Sequence, residues 1–260
     1  MDFNAKNFRY VIKDFGDFMK EVQDGKRLYL RALSRVEPSS LPTQLADDYP
    51  SLAKDFALPS QLGFVDDNAF SSVLRISGPV NMWLHYDVSW FQFCPVTNTE
   101  TVPWTANNIL VMANVYVQVG GSKRLILFPP SDVSHFSFAP GASSSSVDVF
   151  SSLDAGSLRG VHPHEAAVRP GDILFLPPLW LHTATPTSEM SVAVNIFFRN
   201  LEKGYSAGRD VYGNRDLAAY EKGRQDIARI GSSFSKLPPD AREFYIQRLA
   251  DELVQSTTSL

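Results

Sequence analysis

The run Asn81 to Val88, NMWLHYDV, holds the densest potential chemistry in this 260-residue chain. In an extended strand alternate side chains share a face, at about 3.3 Å of rise per residue, so His85 and Asp87 point the same way. Far downstream, Trp180-Leu181-His182 closes another strand-like run on a second histidine. Two imidazoles and a carboxylate on one side of a metal, with the remaining positions open, make the ligand set of non-haem Fe(II) oxygenation. His-x-Asp alone is weak, because it recurs by chance. The distal His182 and a lysine-bearing strand at Lys123 strengthen it. His135, His162 and His164 have no spacing partner and are expected in solvated loops. Trp180 is expected to pack in the core and orient His182.

The elements that must position these groups are short and mostly extended. Phe8 and Tyr10 suggest a brief strand, and Phe15, Phe18, Met19 and Val22 follow at helical spacing until Gly25. RLYLRAL, from Arg27 to Leu33, reads as a strand. Residues 37–68, rich in Pro, Ser and Asp, read as a covering layer with short helical pieces. Phe70 to Ile76 and Asn81 to Val88 read as strands joined at Ser77-Gly78-Pro79. The rhythm then breaks over residues 89–112 and resumes with Asn114 to Val119, a Gly120-Gly121 turn and Lys123 to Phe128. Residues 131–160 are Ser-rich and read as a long mobile loop. Ala166 to Val168, Ile173 to Pro177 and Ser191 to Phe198 complete the strands. From Leu201 the period turns helical: Leu217 to Ile230, then a helix opened by Pro238-Pro239-Asp240 with Asp240 as its cap. Many short strands ahead of a helical tail indicate a β-barrel or sandwich with appended helices.

Composition narrows the function classes. A net charge of −4 gives no general pull toward nucleic acid or anionic membrane, so any such contact needs a local basic patch. The lone Cys94 excludes an internal disulfide framework and suits a reducing compartment. MDFNAKNFRY has no apolar core of a signal peptide, and no apolar run is long enough to span a bilayer. Cytoplasm or nucleus is the default localisation, with no membrane partner.

With His85, Asp87, Lys123 and GDILFLPPLWLH (171–182) assembled, the chain resembles the JmjC-domain 2-oxoglutarate oxygenases. Within them it is most similar to the tRNA wybutosine hydroxylases, through FSSVLRIS (70–77), HYDV (85–88), NVYVQVGGSKRLILFPP (114–130) and VNIFF (194–198). The likeness continues into the tail at VYGNRD (211–216) and LPPDAREFYIQR (237–248). It implies a mainly β fold with appended helices: a double-stranded β-helix (jelly-roll, cupin-like JmjC) over residues 1–200, and a C-terminal helical tail over 201–260. It implies Fe(II) held by His85, Asp87 and His182. It further implies 2-oxoglutarate as co-substrate, contacted by Tyr29, Asn114 and Lys123, with Asn195 a further candidate. On the residues alone Tyr29 could be core packing, and Asn195 needs a hydrogen-bonding partner that could equally be structural. The chemistry agrees: a 2-oxo acid chelates the metal, its far carboxylate needs a fixed cation, and O2 takes the last position. No separate acid, base or nucleophile is assigned. The implied substrate is tRNA, and the implied oligomer a homodimer through the tail.

Two features depart from that family. Its members begin well upstream of Met1, so a segment that helps close the barrel is expected to be missing. In the family an asparagine lies four residues after the metal-binding aspartate, whereas Asn114 lies 27 after Asp87, an excess of 23. Removing the excess restores HYDVMANVYVQVGGSKR, and a retained intron translated in frame accounts for residues 89–111. Arg75 and the tail's basic residues (Arg209, Arg215, Lys222, Arg224, Arg229, Arg242, Arg248) are possible RNA contacts, although interleaved acids suit a solvated face equally. Two rival functions stand beside tRNA hydroxylation: a JmjC hydroxylase acting on protein side chains, and a catalytically impaired JmjC module that only binds.

Overall fold

A computed structural model describes residues 8–38, 41–87, 113–154, 156–198 and 218–258. The chain forms two compact units, Met1–Leu217 and Ala218–Leu260. The boundary expected at residue 200, the insert at 89–111 and the VYGNRD stretch lie outside the described residues.

The first unit is built on two antiparallel sheets. Its strands are β1 (Ala69–Ser77), β2 (Leu84–His85), β3 (Ala113–Gly120), β4 (Lys123–Phe128), β5 (Ser144–Ser145), β6 (His164–Val168), β7 (Ile173–Leu176), β8 (Leu181–Pro186) and β9 (Ser191–Phe198). One sheet runs β1-β9-β3-β7 and the other β5-β2-β8-β4-β6. Apart from β4, β5 and β6, which share the five-stranded sheet, sequence neighbours alternate between the sheets, as in a jelly roll.

Period-two alternation gives each sheet two different faces. On the four-stranded sheet, Leu74, Ile76, Val115, Val194 and Ile196 point outward and are buried beneath the N-terminal helices. The inward face carries Arg75, Ser77, Asn114, Tyr116, Gln118, Ser191 and Asn195 among smaller apolar groups. On the five-stranded sheet, Leu84, Ile126, Phe128 and Leu181 point outward into a second apolar cluster with Phe136 and Val149. Inward-facing Leu125, Leu127, Val168 and Ala184 meet Tyr116 and Leu176 in a third cluster between the sheets. The molecule is therefore apolar outside each sheet and polar along much of the space between them. That distribution marks an interior designed for a ligand rather than for packing alone.

The outer layers explain where the sequence reading needs correction. Helix α1 (Phe15–Gln23) forms as expected; Asp14 caps it by accepting from the Gly16 and Asp17 amides, and Phe18 and Val22 are buried on the sheet. Gly25, at φ 78°, ends it in a Schellman motif: Lys26 donates to the Glu21 carbonyl and Gly25 to that of Val22. The expected strands at Phe8–Tyr10 and Arg27–Leu33 do not form. The second contributes only a single bridge, Tyr29 to Ser77, flanked by Leu30 donating to Ile76 and Gly78 to Leu28. Helices α2 (Leu45–Asp48), α3 (Pro50–Ala53) and α4 (Gly63–Asp67) make up the expected covering layer.

Residues 131–160 are not a free loop. They hold a 3-10 turn at Pro130–His135, strand β5 and helix α5 (Val149–Asp154), and they cover the outer face of the five-stranded sheet. Four large apolar side chains on that face require cover, and Phe136 and Val149 supply it. The buried Asp132 carboxylate pins the segment by accepting the His162 amide at 2.6 Å and meeting its Nδ1 at 2.9 Å. His162 is thus partnered although exposed, and His164 sits in β6 rather than in a loop.

The second unit is a pair of helices, α6 (Ala218–Phe234) and α7 (Pro239–Thr258). Asp240 falls in the first turn of α7 rather than at its cap. Phe234 and Tyr245 lie 6.4 Å apart between the two helices, while Tyr245, Leu249 and Leu253 are exposed on the single chain. Arg229 pairs with Asp226, and Arg248 with Glu252 at 3.1 Å, as a solvated mixed-charge face would.

Candidate metal centre

Two copies of the tripeptide Trp-Leu-His build the centre, one entering β2 (Trp83-Leu84-His85) and one entering β8 (Trp180-Leu181-His182). In each, the leucine turns outward and is almost fully buried, at 0% and 1% exposure. Alternation then commits both histidines to the inner face. The strands are antiparallel with His85 opposite His182, and the ring centroids are 4.2 Å apart.

Each imidazole is fixed by its own tripeptide. His85 Nδ1 lies 3.0 Å from the Trp83 carbonyl and His182 Nδ1 2.9 Å from that of Trp180. A carbonyl only accepts, so both Nδ1 atoms carry a proton, and both Nε2 atoms are left for the site. Asp87 completes the set, its Oδ2 3.7 Å from His182 Nε2. One ligand atom from each of His85, Asp87 and His182 lies within 4.8 Å of the others. The donor set is two imidazole nitrogens and one carboxylate on a single side, which fits Fe(II) with open positions. Nδ1–H held by a carbonyl is the usual outer support of a metal-bound histidine.

Charge states agree with that use. Burial, and then the neighbouring His182, lower the His85 pKa to about 4, so its nitrogen is free of a proton at neutral pH. For Asp87, burial pushes the carboxyl up, but His182, His85 and the Asn114 amide together hold it below its ordinary range. Asn114 Nδ2 donates to Asp87 Oδ2 at 3.2 Å, and Asn195 Nδ2 donates to Asn114 Oδ1 at 3.0 Å. Both asparagines are buried, and the relay answers the partner that Asn195 required.

Lys123 opens β4, which is four residues from the His182 row along the strand, or about 13 Å. Its side chain is only 5% exposed, lies over the Tyr116 ring and has no carboxylate partner among the described residues. Burial, reinforced by the charge of Arg75, lowers its pKa to about 8. A buried cation without a counter-ion is costly unless a ligand supplies one. Ser77 gives a second such signal: its Oγ is buried with no hydrogen-bond partner. Both features fit a small dicarboxylic acid between the sheets.

Tyr29 and Arg75 are joined, the guanidinium donating to the phenol oxygen at 2.9 Å. Arg75 therefore lies on the inward face of β1, and its charge reaches Lys123, Tyr116, His85 and Asp87. The sequence signal was available: in FSSVLRIS, alternation sets Arg75 on the same face as Val73 and Ser77. Trp180 packs against the inner cluster and, 5.3 Å from the His164 ring, orients His182 through its carbonyl. Trp83 holds His85 through its carbonyl in the same way, a role that the repeated Trp-Leu-His displays in the sequence.

A family profile for a cupin-like domain matches residues 1–204. A zebrafish (Danio rerio) protein named tRNA wybutosine-synthesizing protein 5 is 33% identical over 96% of this chain and 72% of its own length.

The chain belongs to the cupin-like family.

Within that family its relatives are JmjC-type tRNA wybutosine-synthesizing proteins. The human protein 5 is 29% identical over 96% of the chain and 74% of its own length. The tRNA wybutosine-synthesizing protein 4 of Neurospora crassa is 64% identical over 97% of the chain, which spans only 20% of that relative. The cupin-like match accords with the two-sheet barrel. No described helix is long and apolar enough to cross a membrane.

Proposed function

We propose that this cupin-like chain is an Fe(II)- and 2-oxoglutarate-dependent oxygenase that hydroxylates a wybutosine-type hypermodified guanosine in tRNA. The observation that carries the reading is the convergence of His85, Asp87 and His182 with both Nδ1 atoms committed to carbonyls. The relatives' names supply the substrate class, and a buried cation with no acid partner among the described residues supplies the reason for a dianionic co-substrate. When bound, iron and the oxo acid together reduce O2, release succinate and CO2, and oxidise a substrate C–H bond to C–OH.

The chain's own residues hold and orient. His85, Asp87 and His182 would hold the iron, whose chemistry needs positions left open for co-substrate and O2. Lys123 takes the far carboxylate of 2-oxoglutarate in an ion pair inside a low-dielectric interior, where such pairs are strong. Tyr29 and Ser77 offer hydroxyls to the same acid, and the spare amide N–H groups of Asn114, beside Asp87, and of Asn195, bonded to Asn114, serve its metal-chelating end. The inner apolar cluster keeps bulk water from the reacting carbon. tRNA and O2 are the remaining partners, and a homodimer through α6 and α7 completes the proposal.

The test is succinate release by the purified chain with Fe(II), 2-oxoglutarate and tRNA from cells that accumulate the unhydroxylated nucleoside. Turnover should follow added tRNA, ignore peptides and add 16 mass units (one oxygen atom, by definition) to one nucleoside. Turnover driven by peptides, or an unaltered nucleoside profile, would refute it.

A further inference from the structure

Near the end of β3 the inward face carries a fully buried amide, Gln118, at 0% exposure. Its Nε2 donates to the Gly120 carbonyl at 2.6 Å and to Ser191 Oγ at 3.0 Å. Its Oε1 accepts from the Tyr116 hydroxyl at 2.6 Å. The partners dictate this orientation: a carbonyl only accepts, so Nε2 must face Gly120 and Oε1 must face the phenol. Tyr116 thereby commits its one proton to Gln118 and has none to give to a ligand. The Gln118 backbone is fastened as well, donating to the Asp172 carbonyl and accepting from the Gly171 amide.

Both supports of Lys123 run through that amide. The ammonium lies over the Tyr116 ring, 5.8 Å from its centroid, and the hydroxyl end of the ring is tied to Gln118. The chain then leaves β3 through a bulge: Gln118 pairs with Ala193 and Gly120 with Val192, so Val119 is the extra residue. Gln118 Nε2 bridges the bulge to the Gly120 carbonyl, three residues before Lys123. Without that bridge the Gly120-Gly121 turn could pivot and carry the ammonium with it. Packing alone asks for no amide here, since a methionine fills nearly the same volume, and a buried amide is favourable only through the bonds it makes.

We infer that Gln118 is a positioning residue for the oxo acid: by fixing the Tyr116 ring and the β3–β4 bulge it sets the distance of the Lys123 ammonium from the metal row, and so the length of 2-oxo dicarboxylic acid that the chain accepts. A ligand gripped at both ends is selected by the spacing of its grips. The inference rests on the oxygenase reading above, which seats the far carboxylate on Lys123. It adds a determinant of co-substrate length that touches neither the acid nor the metal.

The test uses the full chain loaded with Mn(II) and measures, by calorimetry, the Kd of 2-oxoglutarate and of its homologues one methylene shorter and longer, oxaloacetate and 2-oxoadipate. Gln118→Met removes the amide, and Tyr116→Phe keeps the ring but gives Gln118 no proton. Each should weaken 2-oxoglutarate about 3–10-fold, the size of a lost hydrogen bond, at unchanged Mn(II) stoichiometry. The preference for 2-oxoglutarate over its homologues should shrink by a similar factor, which a general loss of stability would not produce. The double variant should bind no worse than the weaker single one, because both changes break one linkage. Should Gln118→Met fail to fold, Tyr116→Phe decides alone. Parent-like affinity and length preference in these variants, with Lys123→Ala impaired, overturn the inference and leave the oxygenase reading in place. Losses that fall equally on all three acids, or that add in the double variant, overturn it too. If Lys123→Ala binds 2-oxoglutarate as the parent does, the carboxylate lies elsewhere and the reading beneath the inference fails with it.

Discussion

His85 and His182 each commit Nδ1 to a carbonyl two residues upstream, so removal of either ring removes a preset donor and not merely a polar group. Replacement of His85 or His182 by Ala should abolish stoichiometric Fe(II) or Mn(II) binding, a loss of at least about 100-fold by calorimetry, with the melting temperature of the metal-free chain little changed. Asn114 acts one step further out, through Asp87 Oδ2. Asn114→Ala should weaken metal affinity by about 10–100-fold, the usual effect of a lost outer support. Lys123 gives a pH signature with a definite sign. Its pKa of about 8 in the folded chain lies below the unfolded value of about 10.4. The native state therefore holds fewer protons than the unfolded one between those values, and the ligand-free chain should gain stability as pH rises through that window. Co-substrate binding behaves oppositely, because it needs the ammonium. The 2-oxoglutarate Kd should be flat below pH 8 and rise by up to tenfold per unit above it. A Kd that stays flat through pH 9 would show that Lys123 is not the carboxylate's partner.

Turns and edges decide which of these side chains meet. Gly121 makes the β3–β4 turn at φ 67°, and a Cβ there would sit 1.9 Å from the Met190 carbonyl oxygen. Gly121→Ala should cost more than the roughly 1–2 kcal/mol of the left-handed backbone alone, and it should displace Lys123 two residues on. A lower denaturation midpoint together with weaker 2-oxoglutarate binding, at unchanged metal stoichiometry, would show both effects. The strands on either side of that turn were legible because Val115, Val117, Leu125 and Leu127 obey a period of two. The His85–Asp87 pair was legible from its spacing, although the strand expected over Asn81 to Val88 forms only at Leu84–His85, and it takes the pairing of β2 with β8 to bring His182 to it. Arg75 was harder: a charged residue in a strand usually faces water, and only the pairing of β1 with β9 shows that its face is internal. Residues 131–160 misled because their Ser-rich composition suits a loop. What orders them is the apolar outer face of a sheet made from distant strands, which local composition does not encode. Tyr29 was found by resemblance, and its single bridge to Ser77 is too little pairing to leave a strand pattern.

At the scale of the whole molecule, two questions follow from how the chain is partitioned. The helical pair exposes Tyr245, Leu249 and Leu253 on a single copy, at 49%, 37% and 61%. If a second copy covers them, Leu249→Asp combined with Leu253→Asp should shift the full chain from dimer to monomer in sedimentation, with metal affinity unchanged. Residues 89–111, the 23 that the resemblance marks as an excess, raise the other question. Asp87 and Asn114 flank that stretch, yet their side chains are hydrogen-bonded at 3.2 Å, so the two ends already meet. Joining Val88 directly to Met112 leaves two peptide-linked residues between Asp87 and Ala113, a reach of about 10 Å in extended chain. That is enough to span neighbouring backbones whose side chains touch. Loop entropy opposes the excision little, because closure cost varies slowly with length, by about 0.6 kcal/mol per doubling. We therefore expect a variant lacking residues 89–111 to fold, to melt no lower than the parent and to keep its affinity for Mn(II). Loss of metal binding on excision, with folding retained, would mean that the stretch itself helps to hold Asp87 in place.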